Sequence, residues 1–159
     1  RRVTRVMAGG RRFSFSVTLI IGNRKGQVGV GIGKATDTSL AIQKAYNDAK
    51  RGLINLKTGE GFTLLHQVEA KSNSARVTLM PNKGRGLVAG SAIRSILEFA
   101  GMHDVTARVL SRSKNQLNIA RATIKALEPF RTPISPKKKM ELPEQIEIDS
   151  ADVVVIAEE

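Results

Sequence analysis

Arginine and lysine side chains account for most of the chemistry that this sequence offers. Eight basic residues precede the first acidic residue, Asp37, and the whole chain carries 26 Lys and Arg against 14 Asp and Glu, a net charge of +12. Guanidinium and ammonium groups bind phosphates, and each phosphate that they neutralise releases condensed counterions. A balanced mixture of charges would serve solubility alone, so this excess favours a polyanionic partner, with RNA or DNA as the first candidate.

The charge is also divided along the chain. All 26 basic residues lie before residue 140, whereas seven of the 14 acidic residues lie between Glu141 and Glu159. The candidate RNA-binding residues share a basic side chain in a turn, at a strand edge or on an outward helix face. They are Arg2, Arg5, Arg11 and Arg12 near the N-terminus, Arg24 and Lys25 in a turn, Lys83 and Arg85 in a glycine-rich loop, and Arg121 and Lys125 on a helix. We expect these side chains to neutralise phosphates of a folded RNA.

The first glycine-rich motif, GVGIGK at 29–34, does not match the phosphate loop of proteins that bind nucleoside triphosphates. Val28 stands at the position of that loop's first glycine, and Ala35 replaces the Ser or Thr that would hold magnesium. Glycines on one face of a strand instead predict close packing against small side chains. A row of alanines at helical spacing follows: Ala41, Ala45 and Ala49.

The second glycine-rich motif, GRGLVAG at 84–90, leaves the ligand open. It follows a predicted strand and precedes a predicted helix, so its backbone N–H groups, together with Lys83 and Arg85, suit an anion. Asp104 lies about as far downstream as the acid that holds a ribose hydroxyl in dinucleotide-binding proteins, although the spacing is GxGxxxG rather than GxGxxG. A nicotinamide-dinucleotide oxidoreductase is therefore one alternative to RNA binding, and the glycines could also serve only a tight connection.

No cluster of side chains indicates catalysis. The two histidines, His66 and His103, have no carboxylate cluster beside them, the acids before residue 140 are scattered, and the chain has no cysteine. We therefore expect no catalytic residue, no metal ligand and no cofactor. The lack of cysteine favours an intracellular protein, and no apolar run approaches the roughly 18 residues that cross a bilayer, so no membrane partner is expected.

Alternating and helical patterns predict an α+β fold. Strands are predicted at 13–21, 28–32, 53–57, 62–70, 75–80 and 105–110, and helices at 40–50, 91–100 and 115–127. In the first strand, Phe13 and Phe15 share a face with Val17, Leu19 and Ile21, which predicts that both rings lie in the core. The patterns divide the chain into a domain at 1–55, a second domain at 56–128 and an extended tail at 129–159 that is basic and then acidic.

Six sequence blocks, taken in order, resemble one family. They are GGRRFSF at 9–15, VGVGIGKA at 28–35, AIQKAYNDAKRGLI at 41–54, LMPNKGRGLVAG at 79–90, ILEFAGMHDV at 96–105 and NIARATIKAL at 118–127. Together they look like the family of the bacterial small-subunit ribosomal protein five. The resemblance implies an N-terminal domain similar to the double-stranded-RNA-binding fold, then a domain of three strands, a helix, a strand and a helix with a left-handed crossover. It also places a basic hairpin loop at about Arg2 to Arg12.

The same resemblance implies a function. Members of the family are non-catalytic constituents of the small ribosomal subunit that bind 16S-type rRNA near the neck between head and body and contribute to assembly. They contact small-subunit proteins four and eight, line the channel by which mRNA enters together with proteins three and four, and affect translational accuracy. For this chain the resemblance implies a cytoplasmic, ribosomal location in a bacterium or an organelle, without homo-oligomers. A free double-stranded-RNA-binding regulatory module is a further alternative.

Overall fold

The computed structural model describes residues 1–57 and 63–131, together with the backbone of residues 154–155. Its elements are β1 (Arg2–Met7), β2 (Gly10–Gly22), β3 (Gln27–Ala35), α1 (Thr38–Arg51), β4 (Ile54–Asn55), β5 (Val68–Ser72), β6 (Ala75–Pro81), α2 (Ser91–Ala100), β7 (Val105–Val109), α3 (Gln116–Leu127), a 3₁₀ turn (Glu128–Phe130) and β8 (Val154–Val155). Helices and antiparallel strands are mixed along the chain, so the predicted α+β class is confirmed.

The first sheet has the strand order β1-β2-β3-β4, and each neighbouring pair is antiparallel. β2 is the longest strand, with 13 residues, and it has two partners in succession. Residues 10–15 pair with β1, whereas residues 15–22 pair with β3. The β1–β2 hairpin therefore projects beyond the part of the sheet that β3 shares, and every residue of β1 is exposed.

Helix α1 lies against the face of β3 that carries glycines. The buried residues of α1 are Ala41, Ala45 and Ala49, and all three are fully buried. A Cβ atom added at Gly29 would lie 2.6 Å from the carbonyl oxygen of Ala49, and one added at Gly31 would also meet the helix backbone. Because the two backbones approach so closely only where the strand has no side chains, the predicted packing of glycines against alanines is confirmed.

The second sheet has the order β5-β6-β7, and its pairs are also antiparallel. Helix α3 packs on β5 and β6, and α2 packs on α3 and on β2 and β3 of the first sheet. The side chains beneath the helices include Val77, Leu79 and Val105, all fully buried. The helices predicted at 91–100 and 115–127 and the strand predicted at 105–110 are therefore confirmed to within about one residue.

The strand predicted at 53–57 belongs to the first sheet. It is reduced to Ile54–Asn55 and pairs with Gln27 and Val28 of β3, because the open edge of β3 is the nearest unpaired backbone after α1. Within residues 63–131, two strands precede α2, whereas the resemblance implied three. The left-handed crossover stays a prediction, and the residues at 58–62 lie outside those that the structure describes.

One hydrophobic cluster joins the two sheets, and a second, smaller cluster lies between β2 and α1. Ile20 of β2 and Val28 of β3 point away from α1, are fully buried, and belong to the same cluster as Ile96 and Leu97 of α2. The alternation in β2 predicts a polar second face because Ser14, Ser16 and Thr18 occupy it. The structure shows that this face becomes apolar at Ile20, where α2 covers it.

The turn between β2 and β3 forms hydrogen bonds with α2 and so strengthens the contact between the two sheets, which we call the joint. The backbone N–H of Arg24 donates to the carbonyl oxygen of Phe99 at 2.9 Å, and the N–H of Gly26 donates to that of Ala100 at 3.0 Å. These carbonyls belong to the last turn of α2, where carbonyl groups have no N–H partner within the helix. Gly101 ends α2 with φ 80°, and a Cβ there would collide with the carbonyl of Arg24.

The tail predicted at 129–159 is described only in part. The second unit continues through the 3₁₀ turn, where Phe130 is buried. β8 pairs antiparallel with Leu19 and Ile20 of β2, on the edge that β1 leaves open. The rest of the tail, at 132–153 and 156–159, lies outside the described residues.

Candidate nucleic-acid interface

The projecting β1–β2 hairpin brings four of the predicted basic residues together. In its register Arg5 lies directly opposite Arg12, and Arg11 lies opposite Val6 on the other face. Like charges opposite each other on two strands repel, and no carboxylate within the described part of the chain pairs with Arg5 or Arg12. Residues 2–7 and 10–13 of the ribbon are exposed, and among the described residues no carboxylate compensates the positive charge that Arg5 and Arg12 carry there.

Phe13 lies on this hairpin rather than in the core. Phe13 is 48% exposed, and the guanidinium carbon of Arg2 lies 4.8 Å from the centroid of its ring. The prediction that Phe13 is buried was wrong, because β2 at this point pairs only with β1 and Phe13 is not part of the cluster beneath α1. Phe15, two residues further on, is half-buried against the cluster of Val17 and Leu19, as predicted.

The turn that carries Arg24 and Lys25 is held firmly in place. The side-chain oxygen of Asn23 accepts the backbone N–H groups of Lys25 at 2.8 Å and of Gln27 at 3.0 Å. Arg24, which lies between Asn23 and Lys25, has φ 55°, and its backbone N–H donates to the carbonyl oxygen of Phe99 in α2. The side chains of both basic residues are exposed, so the turn presents them at the joint between the two sheets.

The second glycine-rich loop places two cations at the surface. Lys83 and Arg85 are exposed, and each is followed by a glycine with positive φ, 71° at Gly84 and 66° at Gly86. Glycine adopts such angles without strain. The chain therefore turns sharply twice within four residues, and both basic side chains remain on the outside.

Hydrogen bonds fix the conformation of this loop from beneath. The N–H of Gly86 donates to Asp104 Oδ1 at 3.0 Å. Asn82 Nδ2 donates to the carbonyl oxygen of Gly86 at 2.8 Å and to Thr106 Oγ1 at 2.9 Å. The Thr63 hydroxyl donates to the carbonyl oxygen of Asp104 at 2.6 Å. Asn82 is the residue that the sequence reasoning missed, and its polar side chain next to a glycine-rich loop was the available signal.

The structure does not support the dinucleotide-binding alternative. Asp104 would have to hold a ribose hydroxyl, but one of its oxygens already accepts the N–H of Gly86. The dinucleotide fold also needs a parallel strand after the helix that starts at the loop. β7, the strand that follows α2, is instead antiparallel to β6.

Helix α3 carries the last two predicted cations one turn apart. Arg121 and Lys125 are exposed, and the opposite side of the helix buries Ala122, Ala126 and Leu127 in the core. The helix begins at Gln116 and is preceded by Asn115, whose side-chain oxygen accepts the N–H of Leu117 at 3.0 Å. This N-cap fixes where the helix starts and hence which residues face outward.

Two structural findings bear on the expected absences. Among the helices in the described part of the chain, none is both long and apolar enough to span a membrane. Within residues 1–57 and 63–131, no three His, Asp or Glu side chains are grouped so that they could hold a metal ion.

The fold and the surface together define a class of protein: a small α+β protein whose two sheets share a hydrophobic cluster and which carries exposed cations on a hairpin, a turn, a loop and a helix. Family models for the N-terminal domain and the C-terminal domain of ribosomal protein S5 match residues 1–57 and 70–140. The chain belongs to the ribosomal protein S5 family, which confirms the resemblance found in the sequence blocks.

Three similar proteins carry the name uS5 or uS5c. The chain is 49% identical over 127 residues to the small ribosomal subunit protein uS5 of Campylobacter jejuni subsp. jejuni (strain 81-176), a match that covers 79% of the chain and 85% of that protein. It is 44% identical over 133 residues to uS5c of Gracilaria tenuistipitata var. liui, covering 83% of the chain and 77% of the relative. The uS5 protein of Mycoplasmopsis agalactiae is also 44% identical over 133 residues, which is 57% of its length.

Proposed function

We propose that this chain is a non-catalytic structural constituent of the small ribosomal subunit and binds 16S-type rRNA near the neck between head and body. Its relatives are small-subunit proteins by name, and they match most of the chain. The observation that carries the proposal is the projecting hairpin, on which Arg5 and Arg12 face each other with no acidic partner among the described residues. A polyanion that lies along the ribbon relieves this repulsion.

The mechanism is geometric. Arginines and lysines that contact phosphates fix the register and the orientation of a protein on RNA without reading its sequence. The residues proposed for this role are Arg2, Arg5, Arg11 and Arg12 on the hairpin, Arg24 and Lys25 at the joint, Lys83 and Arg85 in the loop, and Arg121 and Lys125 on α3. Because a common core and main-chain hydrogen bonds hold the two sheets together, RNA segments bound to each unit are kept in a fixed relation.

The partners and the cellular setting are part of the same proposal. We infer contacts with small-subunit proteins four and eight, and a place with proteins three and four at the channel by which mRNA enters. From these contacts follow the proposed contributions to assembly and translational accuracy, in the ribosome of a bacterium or an organelle. The proposed division is a unit at 1–55, a unit at 56–128 and a tail at 129–159.

The test is fractionation of cell extracts on a sucrose gradient with an antibody against the chain. The proposal requires nearly all of the chain to migrate with small subunits and with ribosomes. The double variant Arg5→Ala/Arg12→Ala is expected to shift it toward the top of the gradient. The matched control is Arg94→Ala, because Arg94 is an exposed arginine whose charge Glu98 already compensates at 2.8 Å. A largely soluble wild-type pool would contradict the proposal and favour a free RNA-binding module.

A further inference from the structure

Two side chains form hydrogen bonds with the backbone of one glycine, Gly86, in the second glycine-rich loop. Asp104 accepts the N–H of Gly86, and Asn82 donates to the carbonyl oxygen of the same residue. Asn82 is itself anchored to Thr106 of β7, and its backbone N–H donates to the carbonyl oxygen of Asp104 at 3.2 Å. All these anchors are half-buried, whereas Lys83 and Arg85 are exposed.

We propose that Asn82 and Asp104 are positioning residues that hold Lys83 and Arg85 in the RNA-binding conformation before RNA arrives. This inference rests on the proposed function, because it assigns the loop to an RNA backbone. A loop with two glycines is intrinsically flexible, and ordering it upon binding would weaken the affinity. The hydrogen bonds from Asn82 and Asp104 remove this cost of ordering, because they fix the conformation of the loop before RNA binds.

Asp104 carries both a negative charge and an oxygen that accepts the N–H of Gly86, and a substitution can separate the two. A carboxylate beside a phosphate-binding loop repels the ligand, so its charge does not favour RNA binding. The loop is held instead by the side-chain oxygen of Asp104 that accepts the N–H of Gly86. Asparagine offers the same acceptor without the charge. Positioning therefore predicts that Asp104→Asn keeps the affinity or raises it, whereas Asp104→Ala lowers it.

The experiment measures binding of the full chain, labelled with a fluorophore, to small-subunit particles reconstituted without it. Asp104→Ala and Asn82→Ala should each weaken binding by about five- to tenfold, the range expected when a few side chains must be ordered at binding. Hydrogen exchange at the Gly86 amide should be faster in Asp104→Ala than in the wild type. The matched control is Asn118→Ala, which removes a hydrogen bond to Ser74 on another part of the unit, and it should leave the affinity unchanged.

A double-mutant cycle separates positioning from a general effect on folding. In a background of Lys83→Ala/Arg85→Ala, Asp104→Ala should have no further effect, because the cations through which it acts are gone. An equal loss in both backgrounds, or a wild-type affinity for Asp104→Ala, would overturn the inference. If the wild-type chain itself did not bind the particles, the proposed function would fail instead.

Discussion

Arg5 and Arg12 are a pair of residues that does not favour the stability of the hairpin on which they lie. They occupy directly opposite positions of an exposed ribbon, where oppositely charged or β-branched pairs would stabilise the hairpin. Arg2 stacks on Phe13 rather than on an acidic residue, so the ring supports a cation without cancelling its charge. Among the described residues, no acidic side chain therefore cancels the positive charge of these arginines.

Removing one of these guanidinium groups should change the salt dependence of binding more than the stability of the fold. For Arg12→Ala, the slope of log affinity against log salt should become shallower by about 0.7–0.9, the value of one lost phosphate contact. The unfolding midpoint should stay equal or rise, because the variant removes a repulsion. Titrations of depleted small-subunit particles at four salt concentrations measure the slope, and an unaltered slope would show that Arg12 does not contact RNA.

The alternating pattern of β2 predicted which residues share a face but not how far each face is covered. Phe15 and Phe13 lie on the same face, yet only Phe15 reaches the cluster under α1. Where a covering helix ends is a property of the tertiary structure, which a period of two residues does not contain. The positive charge of the candidate site residues could be predicted directly from the sequence. The hydrogen bond from Asn82 to Gly86 could not, because it depends on the folded conformation of the loop.

The packing of α1 on β3 depends on backbone proximity at the scale of whole elements. Gly29, Gly31 and Gly33 face the helix, and the facing residues of α1 are alanines. Both halves of this arrangement could be predicted from the sequence, since glycine and alanine recur at the strand and helix periods. The pairing of β4 with β3 could not be predicted, because two residues carry too little pattern to choose between two sheets.

A methyl group at the centre of this contact should destabilise the first unit strongly. Gly31→Ala would place its Cβ against the backbone of Ala45 and Ala49, so we expect a loss of about 1–3 kcal/mol in the free energy of unfolding. Gly52→Ala is the control, because its Cβ would have only ordinary contacts, the nearest at 3.7 Å. Urea denaturation compares the two variants, and equal stabilities would refute the close packing of α1 on β3.

At the scale of the whole molecule, the two sheets behave as one body in this structure. Ile20 and Val28 of the first sheet are fully buried with α2, and the turn at Arg24 caps the end of that helix. The sequence divided the chain into units but did not reveal their joint. The reason is that the residues covering Ile20 lie more than 70 positions further along the chain, beyond any local pattern.

Because the two sheets share a hydrophobic cluster, the two units should unfold together. Ile20→Ala leaves a cavity between β2 and α2 and should cost about 2–5 kcal/mol. Its effect should appear equally in the hydrogen exchange of α1 and α3, with a single unfolding transition. Two separate transitions, or a change confined to the first unit, would show that the sheets are independent.

The central claim is that this chain is a rigid cationic scaffold for rRNA. A density map of small subunits purified from the source cells through a tag on the chain tests it most directly. The account predicts that the chain lies near the neck, with the β1–β2 hairpin and the Lys83–Gly86 loop against RNA backbone and the two sheets joined as described here. A map in which the chain is absent, or in which the hairpin and the loop face solvent, would contradict it.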